Sequence, residues 1–309
     1  MKLAMIASCM YDLDRTPYFR LNLESLRTYC KKWDITFILL DKKSHLTKNV
    51  ANTIDSLYNF SNEPPKKIIP HIAKVLRLNE LTLSNADYGI FVDLDTNIIN
   101  LHSDIRDWIE DGKQYFSVCY PLKNTTHGRE NQKINFSKFL LGKTVDKHTY
   151  KYLNTGFSIL SKDFCAEYLQ YATHYDINIE HLRDINNLFR YKNSIEVDDE
   201  FLIESFLIFC QANKKDFDIV SLKRLGVPNN IILDSYAWDK VTLEKIIQYY
   251  PIFFHNGNIQ DFINRKEYGR PEALTHIAND PSNKDKCSYY IYNKLRHTRF
   301  AEIFEKRSP

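Results

Sequence analysis

Glycine is scarce in this chain, at 8 residues in 309. Neither G-x-x-x-x-G-K-[ST] nor G-x-G-x-x-G occurs, so both usual glycine-rich phosphate cradles are excluded. Any phosphate here must be held by side chains and a metal. The 6 cysteines, at 9, 30, 119, 165, 210 and 287, form no C-x-x-C pair, so a zinc site is not expected. Several lie in apolar runs, as Cys119 and Cys210 do, and read as buried thiols of a reducing compartment. No apolar run approaches the length of a membrane span. The box Ile6-Ala7-Ser8-Cys9 follows too short an apolar stretch for a signal sequence, so Leu3–Ala7 reads as a first buried strand. A strong charge of one sign is also missing: the net charge of +3 is too small to imply nucleic-acid binding.

What is present supports a folded enzyme-sized domain. The hydrophobic fraction of 43%, with 20 Tyr and 19 Phe, allows a sizeable core and argues against disorder. Lys2–Ser8 reads as a strand. Thr16-Pro17 reads as a helix start, with Thr as N-cap and Pro in the first turn, and the helix runs to about Trp33. Ile35–Leu40 is the second strand, so the chain opens with a βαβ unit. Lys42–Pro65 is polar and irregular. A helix over roughly Pro70–Ser84 leads into the strand before Asp93, and Gln114–Cys119 is another strand. Pro121–Tyr150 reads as a long polar loop. Leu153–Leu160 is a strand interrupted by Gly156, and Ser161 caps a helix through about Tyr171. Ile177–Phe189 and Asp198–Cys210 read as helices, and Phe217–Val220 and Ile252–Phe254 as short strands. The expected fold class is α/β, with a C-terminal elaboration.

One run carries the chemistry: Tyr88-Gly-Ile-Phe-Val-Asp93-Leu-Asp95-Thr96-Asn97-Ile98. Ile90–Val92 is apolar and β-prone, as in a strand buried on both faces. Asp93 and Asp95 follow at its C-terminal end, where open α/β sheets place ligands. In extended chain, residues two apart share a face, so both carboxylates are expected to aim at one cation. Two hard oxygen ligands suit Mg²⁺ or Mn²⁺, which commonly carries phosphate as well. The plainer alternative is a pair of loop carboxylates or a helix cap.

Together with three other segments, this run resembles the GT-A-fold nucleotide-sugar glycosyltransferases, near the glycogenin-like and bacterial galactosyltransferase-like retaining groups. The segments are the opening βαβ unit; the helix Ala73-Lys74-Val75-Leu76-Arg77-Leu78; the D-x-D run, followed later by Asn154-Thr155-Gly156-Phe157; and Val197-Asp198-Asp199-Glu200 with Phe253-Phe254-His255-Asn256-Gly257. The resemblance covers roughly residues 1–260, taken as the GT-A domain, with 261–309 as a basic, aromatic helical extension. Two departures stand out. Asp198-Asp199 stands where the family often has Asp-Gln. Asn258-Ile259-Gln260 follows Gly257 where the family often has Lys-Pro-Trp.

The resemblance implies a Rossmann-like mixed sheet with helices on both faces and transfer of a sugar from a nucleotide-diphospho-sugar, UDP-sugar favoured, to a glycan acceptor. It implies retention, by a front-face route in which the leaving phosphate takes the acceptor proton. Asp93 and Asp95 become metal ligands, with His255 either the third ligand or a capping or hydrogen-bonded histidine after its strand. An imidazole ligand favours Mn²⁺, with Mg²⁺ as the alternative. Ala7, Ser8 and Tyr11 end the first strand, where the nucleotide is expected, and Tyr11 either stacks on the base or is an ordinary loop tyrosine. Lys74 and Arg77, three apart on one helix face, bind the diphosphate or donor sugar, or form a solvated charged face. Asn154 and Gly156 line the sugar pocket, Gly257 the diphosphate. One of Asp198 and Asp199 caps a helix and the other, Asp199 by preference, faces the sugar as the catalytic carboxylate.

Further expectations concern partners and place. The Lys-, Asn- and Ile-rich usage points toward a low-GC bacterium or parasite, and so toward bacterial surface polysaccharide. The basic aromatic tail, with Lys294, Arg296 and Arg299, either packs on the domain or rests on an anionic membrane surface bearing a lipid-linked acceptor. A cytoplasmic location is expected, with contact at the inner membrane surface only if the tail rests there. Two competing functions remain. Asp93 could be the nucleophile of a haloacid-dehalogenase-like phosphatase, with Asp95 as acid/base. The same carboxylates could also serve a non-catalytic glycan- or cation-binding module.

Overall fold

The computed structural model describes residues 1–9, 17–41, 69–121, 151–174, 203, 206–207, 210, 213, 215–222, 232–234 and 252–255. The chain opens with strand β1 (Leu3–Cys9), helix α1 (Pro17–Lys32) and strand β2 (Thr36–Asp41). Then follow helix α2 (Ile69–Leu83), β3 (Tyr88–Val92) and β4 (Thr96–Ile98). After a 3-10 turn, Ile105–Trp108, come β5 (Lys113–Pro121), β6 (Lys151–Ser161) and α3 (Lys162–His174). The last described strands are β7 (Asp218–Ser221), β8 (Ile232–Asp234) and β9 (Phe253–His255).

The main sheet has six strands in the order β2-β1-β3-β6-β5-β7. The strands β1, β2 and β3 run parallel, and β7 runs parallel to β5. Between these two groups lies β6, antiparallel to both neighbours. This is the mixed sheet the motifs imply. Its helices cover both faces. Leu3, Met5, Ala7 and Cys9 of β1 pack with Phe19, Leu23 and Leu26 of α1. Ala4 and Ile6 turn to the opposite layer, with Leu78 and Leu81 of α2 and Phe164 and Tyr168 of α3. The period of two along β1 thus feeds two cores, as expected for a strand buried on both faces.

Local sequence explains the element ends. Pro17 opens α1, where its fixed φ suits the first turn. At the other end Asp34 takes a positive φ of 50°, and the Ile35 amide reaches back to the Cys30 carbonyl at 2.9 Å. That is a Schellman cap, and Arg106 adds to it by donating to the carbonyls of Trp33 and Asp34. Ser161 caps α3 as expected, its Oγ accepting from the Phe164 amide at 3.2 Å.

Two expectations need correction. Asp93 and Asp95 are not on extended chain: β3 ends at Val92, and the Thr96 amide closes a turn onto the Asp93 carbonyl at 3.0 Å. The same-face periodicity therefore does not govern them. Gly156 does not interrupt its strand, since β6 runs unbroken through it. Instead the pairing register with β5 slips between Phe116 and Val118, opposite residues 154–158 of β6. Glycine at a bulge is a recurrent placement. Two three-residue strands, β4 and β8, carry no sequence signal of their own. They flank β9 in a second sheet ordered β4-β9-β8.

Some expectations fall outside the described residues: Tyr11, the helix Ile177–Phe189, Asp198, Asp199, Gly257 and the basic tail. Of the segment Asp198–Cys210, Ile203, Phe206, Leu207 and Cys210 are described and helical. Among the described residues, no helix is long and apolar enough to cross a membrane. Cys9, Cys30, Cys165 and Cys210 are buried and in no disulfide. Burial pushes the Cys30 thiol up to about 12.

Candidate functional site

The sheet gathers the site at one edge. Ala7 pairs with Val92, and Val92 pairs with Phe157. Because β6 runs antiparallel, its early residues meet the C-terminal end of β3. The Asp93 amide donates to the Gly156 carbonyl at 2.9 Å. Ala7, Asp93 and Gly156 are thus neighbours across three strands, with Ser8 one residue beyond Ala7.

Helix α2 supplies the cations. Its Lys74 and Arg77 do not form a solvated face; both turn inward onto Asp93. The Arg77 Nη1 lies 3.1 Å from Asp93 Oδ1, and the Lys74 Nζ lies 3.0 Å from Oδ2. Arg77 is 1% exposed, and the same Nη1 donates to the Val92 carbonyl at 2.7 Å. A buried guanidinium needs a carboxylate and carbonyl partners to offset its desolvation, and the end of β3 provides both. Lys74 also reaches the Thr155 hydroxyl at 3.5 Å, and is the more exposed of the two cations. It is the one an incoming anion can recruit.

The turn from Asp93 to Thr96 is pinned from the other face. Asn22 of α1 donates to the Leu94 carbonyl at 2.8 Å and is fully buried. Asn22 belongs to none of the sequence motifs, and Thr155 enters them only as the middle residue of Asn154-Thr155-Gly156. The signal for Asn22 was there: it lies in the stripe Phe19-Asn22-Leu23-Leu26, where helical spacing calls for an apolar residue. Asp95 is 2% exposed, and Thr96 and Asn97 are fully buried. The Thr96 hydroxyl and both amide atoms of Asn97 have no hydrogen-bond partner among the described residues.

The second sheet brings a distant residue to this turn. In the antiparallel β4–β9 pair, Thr96 faces His255. The backbone of His255 thus lies beside the residue that follows Asp95. Asn154 is described only as a backbone position on β6, opposite Val118. Among the described side chains, no three of His, Cys, Asp or Glu cluster as a metal site. The donor set of the reading is therefore Asp93 and Asp95 together with a His255 placed by register. Two carboxylates and an imidazole are a chemically sound set for Mn²⁺.

No protein-family model matches the sequence, and no curated protein matches it. Solved structures do match over most of the chain. One is a glycosyltransferase involved in glycosylation of the major capsid of PBCV-1, at 10% identity over 94% of this chain and 100% of that one, with a TM-score of 0.41. A second is the galactosyltransferase LgtC in complex with donor and acceptor sugar analogues, at 12% identity, covering 96% and 99%, with a TM-score of 0.44. A third is mouse xyloside xylosyltransferase 1, at 12% identity, covering 85% and 100%, with a TM-score of 0.42. These matches are glycosyltransferases, the class the sequence motifs resemble. At such identities and scores, the chemistry has to be read from the residues themselves.

Proposed function

We propose that this chain is a metal-dependent glycosyltransferase that moves a sugar from a nucleotide-diphospho-sugar to a glycan acceptor. The observation that supports this best is the charge cluster at the sheet edge. Asp93 is held by Lys74 and Arg77, next to a buried Asp95 and beside the register position of His255. Two carboxylates suit a cation, and the partly exposed Lys74 in the same cluster suits an anion. A diphosphate that arrives with its metal satisfies both.

When bound, the metal would neutralise charge that develops on the leaving diphosphate. The chain's own residues prepare for that. Arg77, locked onto the end of β3, fixes the Asp93 carboxylate in place. Lys74, less buried, shifts its charge toward the phosphates. Ala7 and Gly156 are small residues on the two strands that flank β3, so nucleotide and sugar can approach the backbone closely. Asp198 and Asp199 are carried forward as the pair from which the sugar-facing carboxylate is drawn. UDP as nucleotide, Mn²⁺ as metal and retention of configuration belong to the same reading, as does a bacterial surface glycan as acceptor.

The phosphatase reading fits less well. A nucleophile motif of that kind usually ends the first strand, whereas β1 and β2 both precede Asp93 here. The test is nucleotide release from a panel of sugar nucleotides, with and without Mn²⁺, and NMR of the product anomer. Release of UDP that depends on metal supports the proposal. Release of inorganic phosphate from phosphomonoesters, with no turnover of any sugar nucleotide, refutes it.

A further inference from the structure

A second polar feature lies behind Asp93, inside the layer formed by α2, α3 and the sheet. That layer is built of Leu78, Leu81, Phe91, Phe116, Phe164 and their neighbours. Within it is a small cavity lined by Lys74, Arg77, Thr155, Ser158 and Tyr168 among apolar residues. About 10 Å³ of it is open to the centre of a water molecule, roughly the space that one water needs. Arg77 lines this cavity, and its Nε is buried with no hydrogen-bond partner among the described residues, although Nη1 is fully committed to Val92 and Asp93. A charged N–H left unsatisfied in an apolar layer costs more than a neutral one.

We propose that one water occupies this cavity, accepts from Arg77 Nε and donates to the hydroxyls of Ser158 and Tyr168, which makes those two side chains positioning residues for Arg77. The inference deepens the reading of the site above and rests on it for its functional consequence. A guanidinium is planar, so fixing Nε and Nη1 together fixes the whole group. Arg77 in turn sets the Asp93 carboxylate. Tyr168 and Ser158 touch neither metal nor sugar; they act by keeping the plane of Arg77 from turning. The tyrosine ring is separately anchored, edge-on to Phe206 at 5.6 Å, so removal of its hydroxyl leaves the packing in place.

Two measurements on the full chain test this. The first is a high-resolution crystal structure of the parent and of the Ser158→Ala/Tyr168→Phe double variant. The expected result is a water within hydrogen-bond distance of Arg77 Nε in the parent and a turned guanidinium in the variant. A dry cavity, or a direct bond from Nε to a protein acceptor, overturns the proposal. The second is Mn²⁺-dependent UDP binding, measured by calorimetry on folded protein. Loss of the bridging hydrogen bonds should weaken binding roughly threefold to tenfold, which a purely structural role would not do. Unchanged affinity in the double variant overturns the positioning role. If the parent binds no UDP, the glycosyltransferase reading fails, and the crystallographic result still decides the water.

Discussion

Replacement of Arg77 by Met isolates the strongest local interaction of the site. Methionine keeps much of the arginine stem volume and removes the charge. Two bonds from Nη1 are lost, to the Val92 carbonyl at 2.7 Å and to Asp93 Oδ1 at 3.1 Å. Hydrogen bonds from a charged group are worth about 1.5–3 kcal/mol each. Against this, an apolar side chain in a buried place recovers the desolvation that the guanidinium had cost. The balance is a loss of about 3 kcal/mol for Arg77→Met. Lys74→Met removes a partly exposed partner of the same carboxylate, and should cost at most about 1 kcal/mol. With a urea slope near 3 kcal/mol/M, the arginine variant should unfold about 1 M earlier. A double-mutant cycle with Asp93→Asn should give a coupling of about 1–3 kcal/mol for Arg77 and less for Lys74. Equal destabilisation by the two single variants, or a coupling below about 0.5 kcal/mol for Arg77, would refute the view that the buried cation fixes Asp93.

Three further outcomes are expected. Asp95→Asn should abolish most metal-supported UDP affinity while the fold stays intact; calorimetry with Mn²⁺ and with EDTA checks this, and unchanged binding would remove Asp95 from the site. Gly89→Ala should destabilise by about 1–3 kcal/mol through overpacking, since a Cβ there would lie 2.8 Å from the Phe91 ring and 2.9 Å from Leu81 Cδ2; a urea midpoint equal to the parent's would show that the two side chains can give way. Stability should fall in alkali, because the folded Cys30 thiol is raised from 9.0 to about 12. Its contribution is complete below pH 9 and is lost as pH rises toward 12, by about 1.4 kcal/mol at pH 10. Cys30→Ala should flatten that slope between pH 8 and 10, and an unchanged slope would assign it to other groups.

Much of the framework was legible in the sequence because it is local. Alternation and apolar runs mark β1, β2 and β3, Pro17 marks the start of α1, and Ser161 marks that of α3. The spacing of Lys74 and Arg77 puts them on one helix face without reference to anything else. What that face meets was not legible. A stripe of two cations looks the same whether it points to water or to a carboxylate, and only the packing of α2 behind β3 decided for Asp93. The D-x-D run reads as extended chain, but a hydrogen bond from Thr96 to Asp93 folds it sooner than strand periodicity suggests. The strands β4 and β8 are three residues each, too short to show any period. Their pairing is fixed by β9, which arrives from far along the chain. Sequence determined that this protein carries a carboxylate pair after a buried strand, a basic helix face before it and a late histidine. Tertiary structure alone placed the basic face against the first carboxylate and the histidine backbone beside the second, since contacts between residues distant in sequence leave no local trace.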